Sequence, residues 1–155
     1  MDNTVTIPYL LITIFSTLST SFCMKTKDFV VNTLQELREQ IQLAQQDFQP
    51  TLGILFCSLQ HDLSVISSIF DNANIDLLGS SSAGEIMNEN VYSSSIVCIL
   101  MDIKKEDYKI HLEETNNDVY QTALNIGQYT KSVFENPAIL ILAGGFGHDG
   151  EKVVN

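Results

Sequence analysis

Two stretches of this chain combine side chains and backbone suited to chemistry. The first is Gly79-Ser80-Ser81-Ser82-Ala83-Gly84-Glu85. Its small residues leave the backbone open, its serines can donate or accept hydrogen bonds, and Glu85 adds a carboxylate. Successive amides in such a loop can converge on an anion. The competing reading is a tight turn in which the serine hydroxyls satisfy local backbone. The second stretch is Gly145-Phe146-Gly147-His148-Asp149-Gly150, formally G-x-G-x-x-G after an apolar run. A lone match of this kind specifies little. It stands at the end of the chain, whereas a dinucleotide fingerprint opens the first β-α unit. Asp149 and Glu151 would also face a pyrophosphate with like charge. There is no G-x-x-x-x-G-K-[ST] loop, and no cofactor is expected.

Ser82 is a candidate nucleophile. The elbow G-x-S-x-G needs glycine on both sides of the serine, but here the flanking positions are Ser80 and Gly84. The available base would be His148, from the second glycine stretch, so a serine hydrolase built on Ser82 and His148 is one alternative. His61, His111 and His148 are scattered, and Cys23, Cys57 and Cys98 form no C-x-x-C pair. No metal site is expected from that spacing. Cys57 and Cys98 lie within apolar runs and read as buried free thiols.

The elements that must position these stretches follow from periodicity. Thr33-Leu34-Gln35-Glu36 is a capping box. Leu34, Leu37, Ile41, Ala44 and Phe48 then recur at helical spacing until Pro50. The continuous apolar run Leu52 to Cys57 suits a strand buried on both faces. Asp62 caps a second helix with Leu63, Ile66 and Phe70 on one face. Ile75 to Leu78 is a short strand feeding the first glycine stretch, and Ile96 to Leu100 is another buried strand. Tyr108, Ile110 and Leu112 alternate with Lys109, His111 and Glu113, the pattern of an antiparallel hairpin arm near an edge with one wet face. Asn117 or Asp118 starts a third helix with Val119, Ala123, Ile126 and Val133 on its core face. Ala138 to Ala143 is the last strand. The order α-β-α-β-β-β-α-β predicts an α/β fold: a mixed β-sheet with helices packed on it. Both glycine stretches follow strands, where open α/β sheets gather ligands.

Composition narrows the function. The chain has 155 residues, 45% of them hydrophobic and 17% charged, which suits one folded domain. Its net charge of −11 repels phosphate backbones and anionic lipid headgroups, so nucleic acid is not an expected partner. Residues 1–23 read as an apolar leader or as a mis-assigned upstream extension. Ile7 to Phe15 is too short for a bilayer span, and no basic n-region or A-x-A-like site marks a signal peptide. Met24-Lys25-Thr26-Lys27 has the character of a cytoplasmic N-terminus. Export or membrane anchoring follows instead if residues 1–23 act as a signal. On either reading these residues are set outside the fold, leaving 24–155 as the domain. Glu151 to Val154 resembles the first turn of another helix, too short to bury a face, so the domain reads as truncated at its C-terminus.

Taken together, Thr51 to Ser58, Leu77-Leu78-Gly79-Ser80-Ser81-Ser82-Ala83-Gly84-Glu85-Ile86, Ser95 to Leu100 and the turn Gly144 to Gly150 resemble the N-terminal half of a FIST domain. The family's turn reads G-C-S-T-A-G-E-I; Ser80 stands here for the usual Cys and Ser82 for the usual Thr. The resemblance covers roughly Val31 to Asn155. It implies a non-catalytic sensory module of a signal-transduction protein that binds a small molecule such as an amino acid. It also implies signalling proteins as partners and a second, C-terminal half that is absent here. It offers no catalytic residues. The expected ligand-binding residues are Gly79, Ser80, Ser81, Ser82, Gly84, Glu85, Gly145, Gly147 and Asp149. Serine hydroxyls and amides would hold a carboxylate, and Glu85 or Asp149 an ammonium. The remaining alternative is a protein-interaction domain without a pocket.

Overall fold

The computed structural model describes residues 9–16, 24–82, 84–87, 89–114 and 118–143. The chain divides into two compact units, one spanning Ser21–Lys105 and the other combining Met1–Thr20 with Glu106–Asn155.

In the first unit, β2 (Thr26–Val31), α1 (Leu34–Asp47), β3 (Leu52–Ser58), α2 (Leu63–Asn72) and β4 (Asp76–Ser82) follow one another; β1 (Tyr9–Ser16) belongs to the other unit. A short hairpin, β5 (Glu85–Met87) and β6 (Asn90–Tyr92), then leads into β7 (Ile96–Met101). The sheet order is β2-β7-β3-β4. β3 and β4 are parallel, while β7 runs antiparallel to both β2 and β3. The sheet is therefore mixed, and the two helices are its crossovers. The fold is α/β, as the sequence predicts.

Both helices pack on one sheet face. Phe29, Val31, Leu55, Cys57, Ile96, Cys98 and Leu100 meet Leu37, Ile41, Ala44, Phe48, Ile66, Ile69 and Phe70 in a single core cluster. Burying each large aliphatic side chain contributes about 1.5–3 kcal/mol. The α1 stripe is the one its spacing predicts, with Leu37, Ile41 and Ala44 buried. Its start is also as read. Thr33 Oγ1 accepts from the Glu36 amide at 3.1 Å, and Glu36 Oε2 accepts from the Thr33 amide at 3.2 Å. Thr33→Ala is expected to lower stability by about 1 kcal/mol, because it strips the cap from one orphan amide. Urea unfolding of the variant measures this directly. Asp62 caps α2 by accepting from the amides of Ser64 and Val65.

The other unit holds β1 (Tyr9–Ser16), β8 (Tyr108–Glu114), α3 (Val119–Val133) and β9 (Pro137–Ala143). β1 is the centre of a three-stranded sheet, β8-β1-β9, antiparallel to both neighbours. This corrects the exclusion of residues 1–23 from the fold, since Tyr9–Ser16 is a paired strand. Its composition, rich in Ile, Leu and aromatics, suits a strand as well as a leader core. β8 is antiparallel and at an edge, as predicted, but its partner is β1, not the preceding strand.

The wet face assigned to β8 is also corrected. His111 is half-buried, with its ring stacked on Tyr129 of α3 at 4.5 Å between centroids, while Leu112 is 56% exposed. α3 starts at the Asp118 cap, whose side chain accepts from the Gln121 amide. Ile126 is buried as predicted, but it is joined by Thr122 and Thr130, while the predicted Ala123 and Val133 are half-buried. Among the described residues no helix is long and apolar enough to cross a membrane, which says nothing of a β-barrel.

Candidate functional site at the carboxyl ends of β3 and β4

The serine stretch is strand, not loop. Phe56, Cys57 and Ser58 of β3 pair in parallel register with Ser80, Ser81 and Ser82. The ladder overrides the turn-like composition of this segment. Two consequences follow from the pleat. Successive strand amides point to opposite edges, so those of Ser80–Ser82 do not converge as an anion nest. The side chains also alternate: Ser80 and Ser82 share a face with Leu78, while Ser81 lies with Leu77 and Cys57 on the face the helices cover.

The hydroxyls have different occupations. Ser80 Oγ donates to the Ser81 carbonyl at 3.0 Å, satisfying local backbone. Ser82 Oγ donates to Glu85 Oε1 at 2.8 Å. Ser81 is half-buried, and its hydroxyl has no partner among the described residues. Gly79 is needed for packing, because an added Cβ would lie 2.2 Å from the Leu55 carbonyl oxygen. Gly84 is exposed and has room around it, with its nearest neighbour at 3.8 Å.

Glu85 is the centre of the arrangement. It is only 2% exposed. Its second oxygen, Oε2, accepts from Ser95 Oγ at 2.8 Å, and Ser95 is fully buried. Burial pushes the Glu85 carboxyl up, but hydrogen bonds from Ser82, Ser95 and backbone amides outweigh it and hold the group below its ordinary value. The carboxylate is thus charged, buried and satisfied, the condition under which such a group is tolerated. The structure turns Glu85 toward these serines, not toward an open loop. Cys57 lies close enough to feel the charge: burial first, and the Glu85 carboxylate second, push its thiol up. Cys57 and Cys98 are both free and buried, as their apolar runs predict, and burial pushes the Cys98 thiol up as well.

No motif in the local sequence singles out Ser95 as a site residue. It sits ten residues beyond Glu85, and the β5–β6 hairpin brings the two together through Glu85↔Tyr92, Ile86↔Val91 and Met87↔Asn90. The two-residue turn places Glu89 at φ 65, the left-handed conformation such hairpins use. The available signal was the polar Ser93-Ser94-Ser95 immediately before an apolar strand. Nearby, the Ser58 amide donates to the Ser95 carbonyl at 3.1 Å, and His61 Nε2 donates to the Ser94 carbonyl at 3.2 Å. These bonds tie the hairpin's exit to the end of β3.

Gly145, Gly147, His148 and Asp149 lie outside the described residues, as do Ala83 and Cys23. Among the described residues no three His, Cys, Asp or Glu side chains gather as a metal site requires.

A mixed sheet with crossover helices on one face, and a polar cluster beyond its parallel strand ends, defines an α/β domain of the kind that carries sites on strand ends. The family model of the FIST N domain matches residues 51–155, and the chain belongs to this family of sensory domains. β2 and α1 precede the matched span. No curated protein and no solved structure matches the chain.

Proposed function

We propose that this domain senses a small molecule, an amino acid being the first class to test, at the carboxyl ends of β3 and β4, and that it works without catalysis. The observation that carries this reading is Ser81: a half-buried serine whose hydroxyl bonds to none of the described residues, at a strand end of a sensory-family domain. Ser81 Oγ and the exposed backbone at Gly84 would receive the ligand's carboxylate. Ser82, Glu85 and Ser95 would hold the strand end and hairpin in place around it. Gly79 and Ser80 shape the strand beneath. Gly145, Gly147 and Asp149 stay in the proposal as a second wall, with Asp149 answering an ammonium group. The ligand would act by binding one conformation better than another, passing the shift to a signalling partner. The second half of the domain and a cytoplasmic location complete the proposal.

The absence of catalysis rests on chemistry at Ser82. Its hydroxyl already donates to a carboxylate held below its ordinary value, and such a group is a weak base at neutral pH.

Thermal unfolding of the full chain against a panel of amino acids tests the reading. A ligand at a hundred times its dissociation constant stabilises by about 2.7 kcal/mol. Ser81→Ala is expected to abolish that shift while leaving the unliganded melting temperature nearly unchanged. A shift that survives Ser81→Ala would move the site elsewhere. Covalent labelling of Ser82 by a serine-directed phosphonate would replace the sensor reading with the hydrolase one.

A further inference from the structure

A second place on the first unit has the chemistry of a ligand site and shares no residue with the strand end. The outer surfaces of α1 and α2 border an open groove of about 300 Å³. Its apolar floor is Ile41, Val65, Ile69 and Ala73, and its polar rim is Arg38, Gln42, Gln45, Ser68 and Asn72. Small-molecule sites begin at about this volume and combine an apolar lining with a few placed polar groups.

Arg38 decides the chemistry. It is the chain's sole arginine, in a protein of net charge −11. Its Nη1 reaches the Leu34 carbonyl only at 3.5 Å, and no carboxylate pairs with it among the described residues. An exposed guanidinium beside an apolar floor, without a carboxylate of its own, is complementary to an anionic head on an apolar tail. The rim is prepared as well: Gln45 Nε2 donates to the Ala73 carbonyl at 3.0 Å, which fixes that amide across the helix pair. The chain's net charge of −11 disfavours a multiply charged anion and leaves a monoanion as the best fit.

We infer that the α1–α2 groove binds a small aliphatic monocarboxylate, its head on Arg38 and its chain on Ile41, Val65 and Ile69. The site is independent of the proposed strand-end site.

The test is a ¹⁵N–¹H NMR titration of the full chain with hexanoate, and with hexylammonium as the matched cation. Hexanoate is expected to give saturable shifts at Arg38, Val65, Ile69 and Ala73, and hexylammonium none at those positions. Arg38→Gln should weaken hexanoate about tenfold or more, the loss of one charge-assisted pair. Arg38 is exposed, so the variant's spectrum should otherwise overlay the parent's. Equal binding of hexylammonium, unchanged affinity in Arg38→Gln, shifts confined to Ser80–Glu85, or no saturable shift would each overturn the assignment.

Discussion

Gly79→Ala is expected to destabilise the Ser21–Lys105 unit by about 3 kcal/mol, the upper range for overpacking. The cause is backbone against backbone. The new Cβ would sit 2.2 Å from the Leu55 carbonyl oxygen and 3.1 Å from its carbon, so β3 and β4 must separate for it to fit. No rotamer change can relieve such a clash. Gly53 offers a graded comparison: its added Cβ would meet the Phe70 ring at 2.5 Å, a buried side chain that can shift in part. Gly84, with nothing nearer than 3.8 Å, should accept alanine at almost no cost. Urea unfolding of the three variants should rank them Gly79, Gly53, Gly84. A Gly79 variant as stable as the Gly84 variant would show that the parallel pair is not packed this closely.

Glu85→Ala is expected to cost about 3 kcal/mol, because it leaves the buried Ser95 hydroxyl without its acceptor and opens a void beneath the hairpin. Glu85→Gln isolates the charge. Hydrogen bonds hold the folded carboxyl below its ordinary value despite burial. A group depressed on folding stabilises fully above its unfolded pKa and loses that contribution as pH falls through the folded one. The parent's advantage over Glu85→Gln should therefore be complete at neutral pH. It should vanish as pH drops below the ordinary glutamate range. Urea midpoints of the pair at neutral, mildly acidic and strongly acidic pH measure this. An advantage that grows on acidification would mean that burial wins and the carboxyl folds protonated. The Ser81→Ala melting experiment then separates ligand recognition from this structural role.

The contrast between Ser81 and its neighbours shows how the site escaped a reading by composition. Three serines between glycines look like a loop, and only the β3 ladder makes them strand. Once they are strand, alternation divides them: Ser80 and Ser82 on one face, Ser81 on the other. In the sequence Glu85 reads as a ligand-facing charge, because glutamate is seldom fully buried. Ser95, the residue that makes its burial tolerable, comes from the far side of a hairpin that local periodicity did not reveal.

Local signals were sufficient wherever the physics is local. The Thr33–Glu36 box, the Asp62 and Asp118 caps, the Leu37–Ile41–Ala44 stripe and the apolar runs of β3 and β7 all depend on contacts within a few residues or on simple burial. They stand in the structure as the sequence predicts, except that Ile54 and Phe56 of β3 and Val97 and Ile99 of β7, on the face away from the helices, are only half-buried. The turn motif that carries the family resemblance belongs here too, since residues 51–155 match the FIST N domain. Partner choice lay beyond such signals. That β8 pairs with β1, that His111 is covered by Tyr129 while Leu112 is exposed, and that Glu85 finds Ser95 are matters of which segments meet across long stretches of chain. Periodicity reports that a segment has a dry face, but only the tertiary structure chooses what covers it.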